Sequence, residues 1–247
     1  MKDFLTRPAW IEIDLDAFEN NMREILNKLS PNTEIMSVVK SDSYKLGANP
    51  LSHVSCDLGI KYYAVATLNE ALVFRKEFPN VNILILGYTP PYLFEDSINN
   101  NITLTIYSLE DALKLNETAK KLNKKATIHI AVDSGMSRIG FFPKDESIDE
   151  ILNIFKLENI YTEGIFSHFA ACHSDKEFTK KQFEIFKSFT DQLIKNGCYF
   201  KYRHIANSLS ILFHREYDLD MVRPGIIQYG CTDVENLPEE FNLKEIL

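Results

Sequence analysis

The chain has 247 residues, 45% of them hydrophobic and 25% charged, which is typical of soluble globular proteins. The formal net charge of −8 argues against nucleic acid as a partner. The four cysteines form no CxxC pair, no signal-peptide pattern opens the chain, and no apolar run reaches the ~18 residues that a membrane-spanning helix needs. These features predict a cytoplasmic protein with no membrane segment in this chain.

The predicted elements begin with a short alternating strand at residues 10–14. Asp16 and Glu19 then form a capping box, which predicts a helix through about Leu29. The further predicted helices cover residues 69–78, a short segment ending near 98, a segment beginning at Ser108, residues 148–155, a long segment from Asp175 or Thr179 to about 195, and residues 208–213.

Eight short apolar runs alternate with those helices along the chain. They cover residues 35–39, 62–66, 82–86, 102–106, 126–132, 160–166, 200–205 and 221–227. Strands that alternate with helices indicate a parallel sheet. Eight such units in a chain of about 250 residues predict an α/β fold of the (β/α)8 TIM-type barrel class. No GxGxxG or GxxxxGK loop is present, which counts against Rossmann and P-loop nucleotide sites.

Polar residues collect where five of these strands end. They are Lys40 and Tyr44 after the first strand, Asp133–Phe141 after the fifth, Ser167–Ala170 after the sixth, His204–Ser208 at the seventh and Arg223–Gly230 at the eighth. In a barrel the carboxyl ends of the strands meet at one mouth, where active sites lie. The set therefore predicts one active site.

These residue types suit a phosphorylated aldehyde cofactor held as a Schiff base. A lysine against apolar walls, such as Lys40, can act as nucleophile or base. Ser208 and the backbone amides of Gly225 and Ile226 could bind a phosphate, because glycine allows a close backbone approach. An arginine at the pyridine nitrogen is one of the partners used with such a cofactor.

At these residues the chain resembles a known family, the N-terminal domain of alanine racemase, a pyridoxal-phosphate-binding barrel. The matching segments are Pro8–Asp14, Val39–Tyr44, Asp133–Phe141, Ser167–Ala170, Ala206–Ser208 and Val222–Gly230. They occur in the family's order and span nearly the whole chain, so together they are highly specific.

The resemblance implies a racemase that uses pyridoxal 5′-phosphate and no metal. It implies interconversion of L- and D-alanine, which supplies D-alanine for cell-wall peptidoglycan. The catalytic residues it implies are Lys40, Arg138 and His168, with Lys40 as the Schiff-base lysine and one of two bases. The cofactor-binding residues it implies are Lys40, Tyr44, His204, Asn207, Ser208, Arg223, Gly225 and Ile226.

Within this set, the resemblance gives individual roles to four groups. Tyr44, Ser208, Gly225 and Ile226 hold the phosphate. Arg223 donates to the pyridine nitrogen, supported by His204. Arg138 lies against the phenolic oxygen of the cofactor. His168 orients the tyrosine that serves as the second base.

The chain departs from the family in three places. Ala131 stands where many members have a carbamylated lysine that braces the arginine matching Arg138. The turn Ser41–Gly47 replaces a more common sequence with alanines and a glycine-histidine pair. Family members also continue into a β-rich domain that supplies the second base across a dimer interface.

The family's longer architecture predicts three segments in this chain. They are residues 1–15 as an N-terminal strand segment outside the barrel, 16–231 as the pyridoxal-phosphate-binding barrel, and 232–247 as the start of a linker to a C-terminal β domain. We expect the full-length form to be a homodimer acting on a small amino-acid substrate. We expect this chain by itself to bind the cofactor and to racemise poorly or not at all.

Three alternatives stay open from the sequence. The same barrel could be a stand-alone pyridoxal-phosphate-binding protein for cofactor homeostasis, or a serine racemase domain. A metalloenzyme using His168, Cys172, His173 and Asp175 is disfavoured by the spacing. We interpret His53, His129 and His214 as structural or surface residues.

Overall fold

Eight parallel strands form one sheet in this computed structural model, which describes residues 10–231 and 238–247. The strands are β1 (Glu34–Val38), β2 (Tyr62–Val65), β3 (Asn82–Ile85), β4 (Thr103–Ile106), β5 (Ala126–Ala131), β6 (Ile160–Phe166), β7 (Tyr202–His204) and β8 (Met221–Val222). Their spatial order is β7-β6-β5-β4-β3-β2-β1-β8, so each strand lies beside its neighbour in sequence and β8 returns to β1.

Backbone hydrogen bonds between β7 and β8 nearly close the sheet into a cylinder. The amide of Asp220 donates to the Arg203 carbonyl at 3.2 Å, and the amide of Arg223 donates to the Ala206 carbonyl at 3.1 Å. A closed parallel sheet with intervening helices is the (β/α)8 barrel. The predicted fold class is confirmed.

Helices cover the outside of the barrel. They are α1 (Leu15–Lys28), α2 (Ala48–Asp57), α3 (Leu68–Glu77), α4 (Phe94–Asn99), α5 (Leu109–Lys121), α6 (Asp145–Phe155), α7 (Lys176–Lys195) and α8 (Ser208–Phe213). Short 3-10 turns cover Pro91–Leu93, Arg215–Tyr217 and Ile226–Tyr229. The side chains of Ser108 and Asp175 cap α5 and α7, as predicted.

Two helix assignments differ from the sequence prediction. Helix α1 begins two residues earlier than its predicted capping box, because Asp14 rather than Asp16 is the N-cap and accepts from the amide of Ala17 at 2.9 Å. Helix α2 was not predicted. Its polar and small residues show little amphipathic pattern, yet Leu51 is fully buried against the barrel.

Alternation along the strands separates two packing regions. On β1 and β2, Met36, Val38, Tyr62 and Ala64 face the barrel interior, while their neighbours pack under the helices. The interior cluster also includes Leu84, Tyr202 and Met221, and it fills the barrel below the carboxyl ends of the strands. Large apolar side chains therefore close the interior below the mouth.

The described segments before and after the barrel meet at α1. The amide of Asp14 donates to the Ile246 carbonyl at 2.9 Å, and the amide of Lys244 donates to Asn21 Oδ1 at 2.7 Å. Residues 10–14 form no strand, because no strand among the described residues runs beside them to supply a hydrogen-bonding ladder. Residues 1–9 and 232–237, which belong to the predicted end segments, lie outside the described residues.

No helix in the described ranges combines the length and the apolar character that crossing a membrane requires.

Candidate functional site

A cavity of about 440 Å³ lies at the carboxyl ends of the strands. The predicted site residues that line it are Lys40, Tyr44, Arg138, His168, Asn207, Ser208, Arg223, Gly225 and Ile226. His204 lies behind Arg223 and does not reach the cavity wall. The fold thus brings together residues separated by more than 180 positions in the sequence.

Lys40 begins a turn with left-handed backbone geometry, which we call the lysine turn (residues 40–45). The φ angles of Ser41, Asp42, Ser43, Tyr44 and Lys45 are 55°, 55°, 51°, 56° and 74°. Left-handed geometry costs residues with a Cβ atom about 1–2 kcal/mol each, so the surrounding structure must hold this turn. Strain of this kind concentrates at functional sites.

Hydrogen bonds from both flanks fix the lysine turn. The amide of Ser43 donates to the Val39 carbonyl at 2.9 Å. Asp42 Oδ1 accepts from the amide of Ala48 at 2.7 Å, which joins the turn to α2. Together these bonds aim Lys40 and Tyr44 at the cavity, with Lys40 Nζ 5.8 Å from the Tyr44 ring centroid.

Glu70 on α3 ties the lysine turn to the neighbouring strand. Its carboxylate accepts from the amide of Ala66 at 2.8 Å and from the amide of Ser41 at 3.2 Å. Thr67 Oγ1 accepts from the amide of Glu70 at 3.4 Å and caps the helix. Thr67 and Glu70 have the spacing of a capping box. In a capping box the glutamate accepts from the amide of the N-cap residue, whereas Glu70 accepts from the amides of Ala66 and Ser41.

Gly225 lies against two hydroxyl groups at one end of the cavity. Its amide donates to Ser208 Oγ at 2.8 Å. A Cβ atom on Gly225 would lie 2.8 Å from Tyr44 Oη and 3.5 Å from Ser208 Oγ, so only glycine leaves this space open. Burial raises the pKa of Tyr44, and its hydroxyl therefore stays protonated and able to donate.

Asn207 positions the segment that carries Ser208. Its side-chain oxygen accepts from the amide of Ser210 at 3.1 Å and caps α8. Its amide nitrogen donates to the Phe169 carbonyl at 3.3 Å. Asn207 therefore links the loops after β6 and β7 at the cavity wall.

Arg223 is a buried guanidinium on the cavity wall, with 4% of its surface exposed. Its Nη1 lies 2.6 Å from His204 Nδ1, and its Nη2 donates to the Ser167 carbonyl at 2.7 Å. Nη2 also lies 3.3 Å from His168 Nδ1. Burial and the nearby charge of Arg138 lower the pKa of Arg223 to about 9, so Arg223 remains charged at neutral pH.

His168 is held neutral beside three cations. Burial, followed by the charges of Arg223, Arg138 and Lys40, lowers its pKa to about 3. Since a guanidinium only donates, His168 Nδ1 is the acceptor from Arg223 and the ring proton lies on Nε2. Gln182 on α7 donates to the His168 carbonyl at 3.2 Å and fixes the loop.

The loop at residues 133–141 is organised by Asp133. Its Oδ1 accepts from the amides of Gly135 and Ser137, both at 2.9 Å. Gly140 has φ 132°, and a Cβ atom there would clash with the backbone amide of Asp133. The two glycines and the aspartate of this motif therefore shape a turn that carries Arg138 to the mouth.

Arg138 and Ala131 both border the cavity. Arg138 forms no hydrogen bond or ion pair within the ranges that the structure describes, and its charge acts on His168 and Arg223. The alanine at position 131 offers no carboxylate that could brace Arg138.

Two residues behind the cavity were missed as functional candidates. His129, interpreted as structural or surface, is buried with its Nδ1 2.8 Å from His204 Nε2. Glu163 lies beyond it, with Oε2 3.4 Å from His129 Nε2. The sequence offered two signs of this contact, a histidine inside the apolar run Ala126–Ala131 and a glutamate inside a predicted buried strand. Such polar side chains are rarely buried without a hydrogen-bond partner.

The alternative metal site does not form in the described part of the chain, where no group of three or more His, Cys, Asp or Glu residues could hold an ion. His168 contacts Arg223, Cys172 Sγ donates to Asn207, and His173 is exposed. These side chains face three different environments.

Comparisons with known proteins show which family this chain resembles. The family described as alanine racemase, N-terminal domain, matches residues 13–233. The alanine racemase of Clostridium tetani is 47% identical over 91% of this chain and 58% of its own length. That of Methanococcus maripaludis is 43% identical over 96% of this chain and 64% of its own length.

Solved structures give the same result. The alanine racemase of Clostridium difficile 630 in complex with cycloserine superposes with a TM-score of 0.95 at 41% identity, covering 98% of this chain and 67% of that one. The alanine racemase of Bacillus anthracis with bound L-Ala-P superposes with a TM-score of 0.91 at 29% identity, covering 98% of this chain and 63% of that one. This chain spans 58% to 64% of the two curated relatives named above. The chain belongs to the alanine racemase N-terminal domain family.

Proposed function

We propose that this chain is the cofactor-binding barrel of a pyridoxal-phosphate-dependent alanine racemase, an isomerase that interconverts L- and D-alanine and supplies D-alanine for peptidoglycan. The observation that carries the proposal is the single cavity shared by Lys40, Arg223 and His168. The relatives named alanine racemase support the substrate and reaction class. A cytoplasmic location and a homodimeric whole protein belong to the same proposal.

The cavity suits pyridoxal 5′-phosphate in size and in chemistry. Lys40 would hold the cofactor covalently through Nζ. Tyr44, Ser208 and the amides of Gly225 and Ile226 would hold its phosphate, in the space that a Cβ atom on Gly225 would fill. When bound, the cofactor withdraws electrons from the substrate Cα and makes the proton there acidic.

Arg223 would meet the pyridine nitrogen as a hydrogen-bond donor. Because its guanidinium stays charged at neutral pH, Arg223 donates a hydrogen bond without giving up a proton. Its hydrogen bonds to the Ser167 and Ile205 carbonyls and to His204 hold it in one orientation. An unprotonated ring withdraws electrons less strongly, which would favour simple proton movement over side reactions.

Proton movement needs a group on each face of Cα. Lys40 would remove or return the proton on one face. On the other face, His168 would orient a tyrosine from the remainder of the whole protein through its Nε2 proton. Arg138 would lie against the cofactor's phenolic oxygen.

The carrier hypothesis receives less support. A protein that only stores the cofactor needs no group poised around Cα, yet His168 and Arg138 border the cavity beside Lys40. The relatives named above are alanine racemases, which favours alanine over serine as substrate.

The first test is the visible absorption of the purified chain mixed with pyridoxal 5′-phosphate. We expect a protein-bound cofactor band that Lys40→Ala abolishes. Lys61→Ala is the matched control, because Lys61 precedes β2 at the opposite end of the barrel. Borohydride reduction and peptide mapping should place the modification on Lys40. No bound cofactor in the wild-type chain, or labelling spread over surface lysines, would refute the assignment.

The second test measures racemisation of alanine by circular dichroism. We expect the 247-residue chain to racemise at least 100-fold more slowly than a full-length relative, because removal of one acid–base group typically costs about 10²–10⁴-fold. A rate equal to that of a full-length relative would show that both bases lie in this chain.

A further inference from the structure

A line of three hydrogen bonds runs from the cavity wall down through the barrel. It joins Arg223 Nη1 to His204 Nδ1 at 2.6 Å, His204 Nε2 to His129 Nδ1 at 2.8 Å, and His129 Nε2 to Glu163 Oε2 at 3.4 Å. We call these four side chains the arginine relay. His204 and His129 are each at most 1% exposed.

The donor direction in the arginine relay is set jointly by the charged groups at its two ends. A guanidinium has donors only, so His204 Nδ1 must accept from Arg223. A neutral imidazole carries one proton, which then lies on His204 Nε2 and donates to His129 Nδ1. The same reasoning places the His129 proton on Nε2, pointing at Glu163.

The lower end needs a group that only accepts, and an ionised carboxylate is such a group. Burial lowers the pKa of both His204 and His129, which keeps the two rings neutral. Burial alone would raise the pKa of Glu163, but the hydrogen bond from His129 and the charge of Lys201 lower it on balance. Lys201 Nζ lies 3.8 Å from Glu163 Oε1 and supplies the opposing charge.

The pairing of β5 with β6 favours the contact between Glu163 and His129. The β5–β6 register pairs Ile128 with Thr162 and then His129 with Gly164, which leaves Glu163 as the extra residue of a β-bulge. Bulges re-aim side chains beside functional sites. A Cβ atom on Gly164 would lie 2.7 Å from the His129 ring, so the glycine gives the imidazole its space.

We propose that Glu163 is a positioning residue whose carboxylate fixes the tautomers of His129 and His204 and thereby the orientation of Arg223 at the cavity. The importance of this orientation for the cofactor rests on the proposed function. The tautomers of His129 and His204 do not depend on the proposed function. Glu163 acts through two intervening rings and touches neither cofactor nor substrate.

The direct test uses ¹⁵N-labelled histidine and NMR of the 247-residue chain without cofactor. We expect both His129 and His204 to carry their proton on Nε2. Glu163→Leu removes the terminal acceptor, so we expect the ¹⁵N shifts of both rings to change, including His204, which does not contact Glu163. Glu163→Gln has the same shape but can also donate to His129 Nε2. In that state both rings carry their proton on Nδ1 and Arg223 loses its acceptor on His204, so we expect a mixture of tautomers.

Two further variants sharpen this test. Gly164→Ala displaces the His129 ring while keeping the Glu163 charge, and we expect it to disturb His204 in the same way. Glu158→Gln, an exposed glutamate shortly before β6, is the control and should change neither ring. If Glu163→Leu does not fold, Glu163→Gln carries the test. Unchanged Nε2 tautomers in both Glu163→Gln and Gly164→Ala would overturn the proposal.

A second readout uses pyridoxal 5′-phosphate as the probe. We expect Glu163→Gln to weaken its binding about tenfold and to shift the absorbance of the bound cofactor, with Glu158→Gln unchanged. If the wild-type chain binds no cofactor, the proposed function fails, and the histidine tautomers still decide the role of Glu163. If the wild-type chain binds and Glu163→Gln changes neither the spectrum nor the tautomers, the role of Glu163 is refuted.

Discussion

Gly225 and Tyr44, 181 positions apart in the chain, approach so closely that a Cβ atom on Gly225 would lie 2.8 Å from Tyr44 Oη. The contact joins the loop after β8 to the lysine turn after β1, and these two strands are neighbours in the sheet. The glycine is therefore required by space at the site, and its φ of −118° with a ψ of −99° also lies outside the regions that residues with a Cβ atom favour.

The first prediction concerns this contact. Gly225→Ala should weaken pyridoxal 5′-phosphate binding about 10-fold or more, because the new methyl group displaces Tyr44 and occupies the phosphate position. Equilibrium titration by absorbance measures the dissociation constant. In a Tyr44→Phe background the effect of Gly225→Ala should shrink, since contacting residues are non-additive. Equal losses in both backgrounds would contradict the proposed clash.

The second prediction concerns the anchor of the lysine turn. Glu70→Ala leaves the amides of Ser41 and Ala66 without their acceptor. We expect a loss of about 1–3 kcal/mol in the free energy of unfolding, together with faster hydrogen exchange at the Ser41 amide. Urea unfolding and exchange NMR measure these two quantities.

The matched control for Glu70 is Glu77→Ala on the same helix. Glu77 pairs with His53 at an exposed site, and exposed pairs contribute about 0–1 kcal/mol. Similar losses for both variants, or an unchanged Ser41 exchange rate in Glu70→Ala, would show that Glu70 does not hold the turn.

The third prediction concerns Asp218, a buried carboxyl whose Oδ1 has no hydrogen-bond partner among the described residues. Burial raises its pKa to about 7, against a smaller opposing effect of Arg215. A raised folded-state pKa means that the folded protein binds the extra proton. The stability contribution is therefore present below about pH 4 and is lost as the pH rises through about 7.

Asp218→Asn removes the charge at this site. We expect it to stabilise the protein by about 1–2 kcal/mol at pH 8 and to have little effect at pH 4, as measured by urea unfolding. Asp220→Asn should act in the opposite direction, because Asp220 accepts hydrogen bonds from the amide and Nε of Arg203, both at 2.9 Å. A destabilised Asp218→Asn variant at pH 8 would contradict the burial argument.

The fourth prediction concerns His168. Because its folded-state pKa is lowered to about 3, its imidazole should show no titration midpoint between pH 5 and 8 by NMR, whereas a free histidine titrates near 6.5. The lowered value means that stability is present above about pH 6.5 and is lost as the pH falls toward 3. His168→Gln should reduce that acid-side loss. A midpoint near 6.5 in the wild-type chain would show that the ring is hydrated and charged.

The sequence predicted the barrel because eight strand–helix units leave few other topologies, and buried parallel strands read as apolar runs. It also predicted which strand ends border the cavity, since Lys40, His168 and Arg223 interrupt or follow those runs. It misplaced the cap of α1 and extended β8 into residues 226–227, which form a 3-10 turn. Local sequence patterns do not show which of two neighbouring aspartates, Asp14 or Asp16, caps the helix. They also do not show at which residue a short strand ends.

The sequence by itself determined the fold class, the family and the residue types that face the mouth, because periodicity and motif order are local or linear properties. Only the tertiary structure decided how those residues act together. The left-handed lysine turn depends on Glu70 from another unit, the space beside Tyr44 depends on Gly225, and the direction of the arginine relay depends on a bulge at Glu163. Each is a contact between segments that are distant in the sequence, and it can stabilise the site only once the barrel has closed.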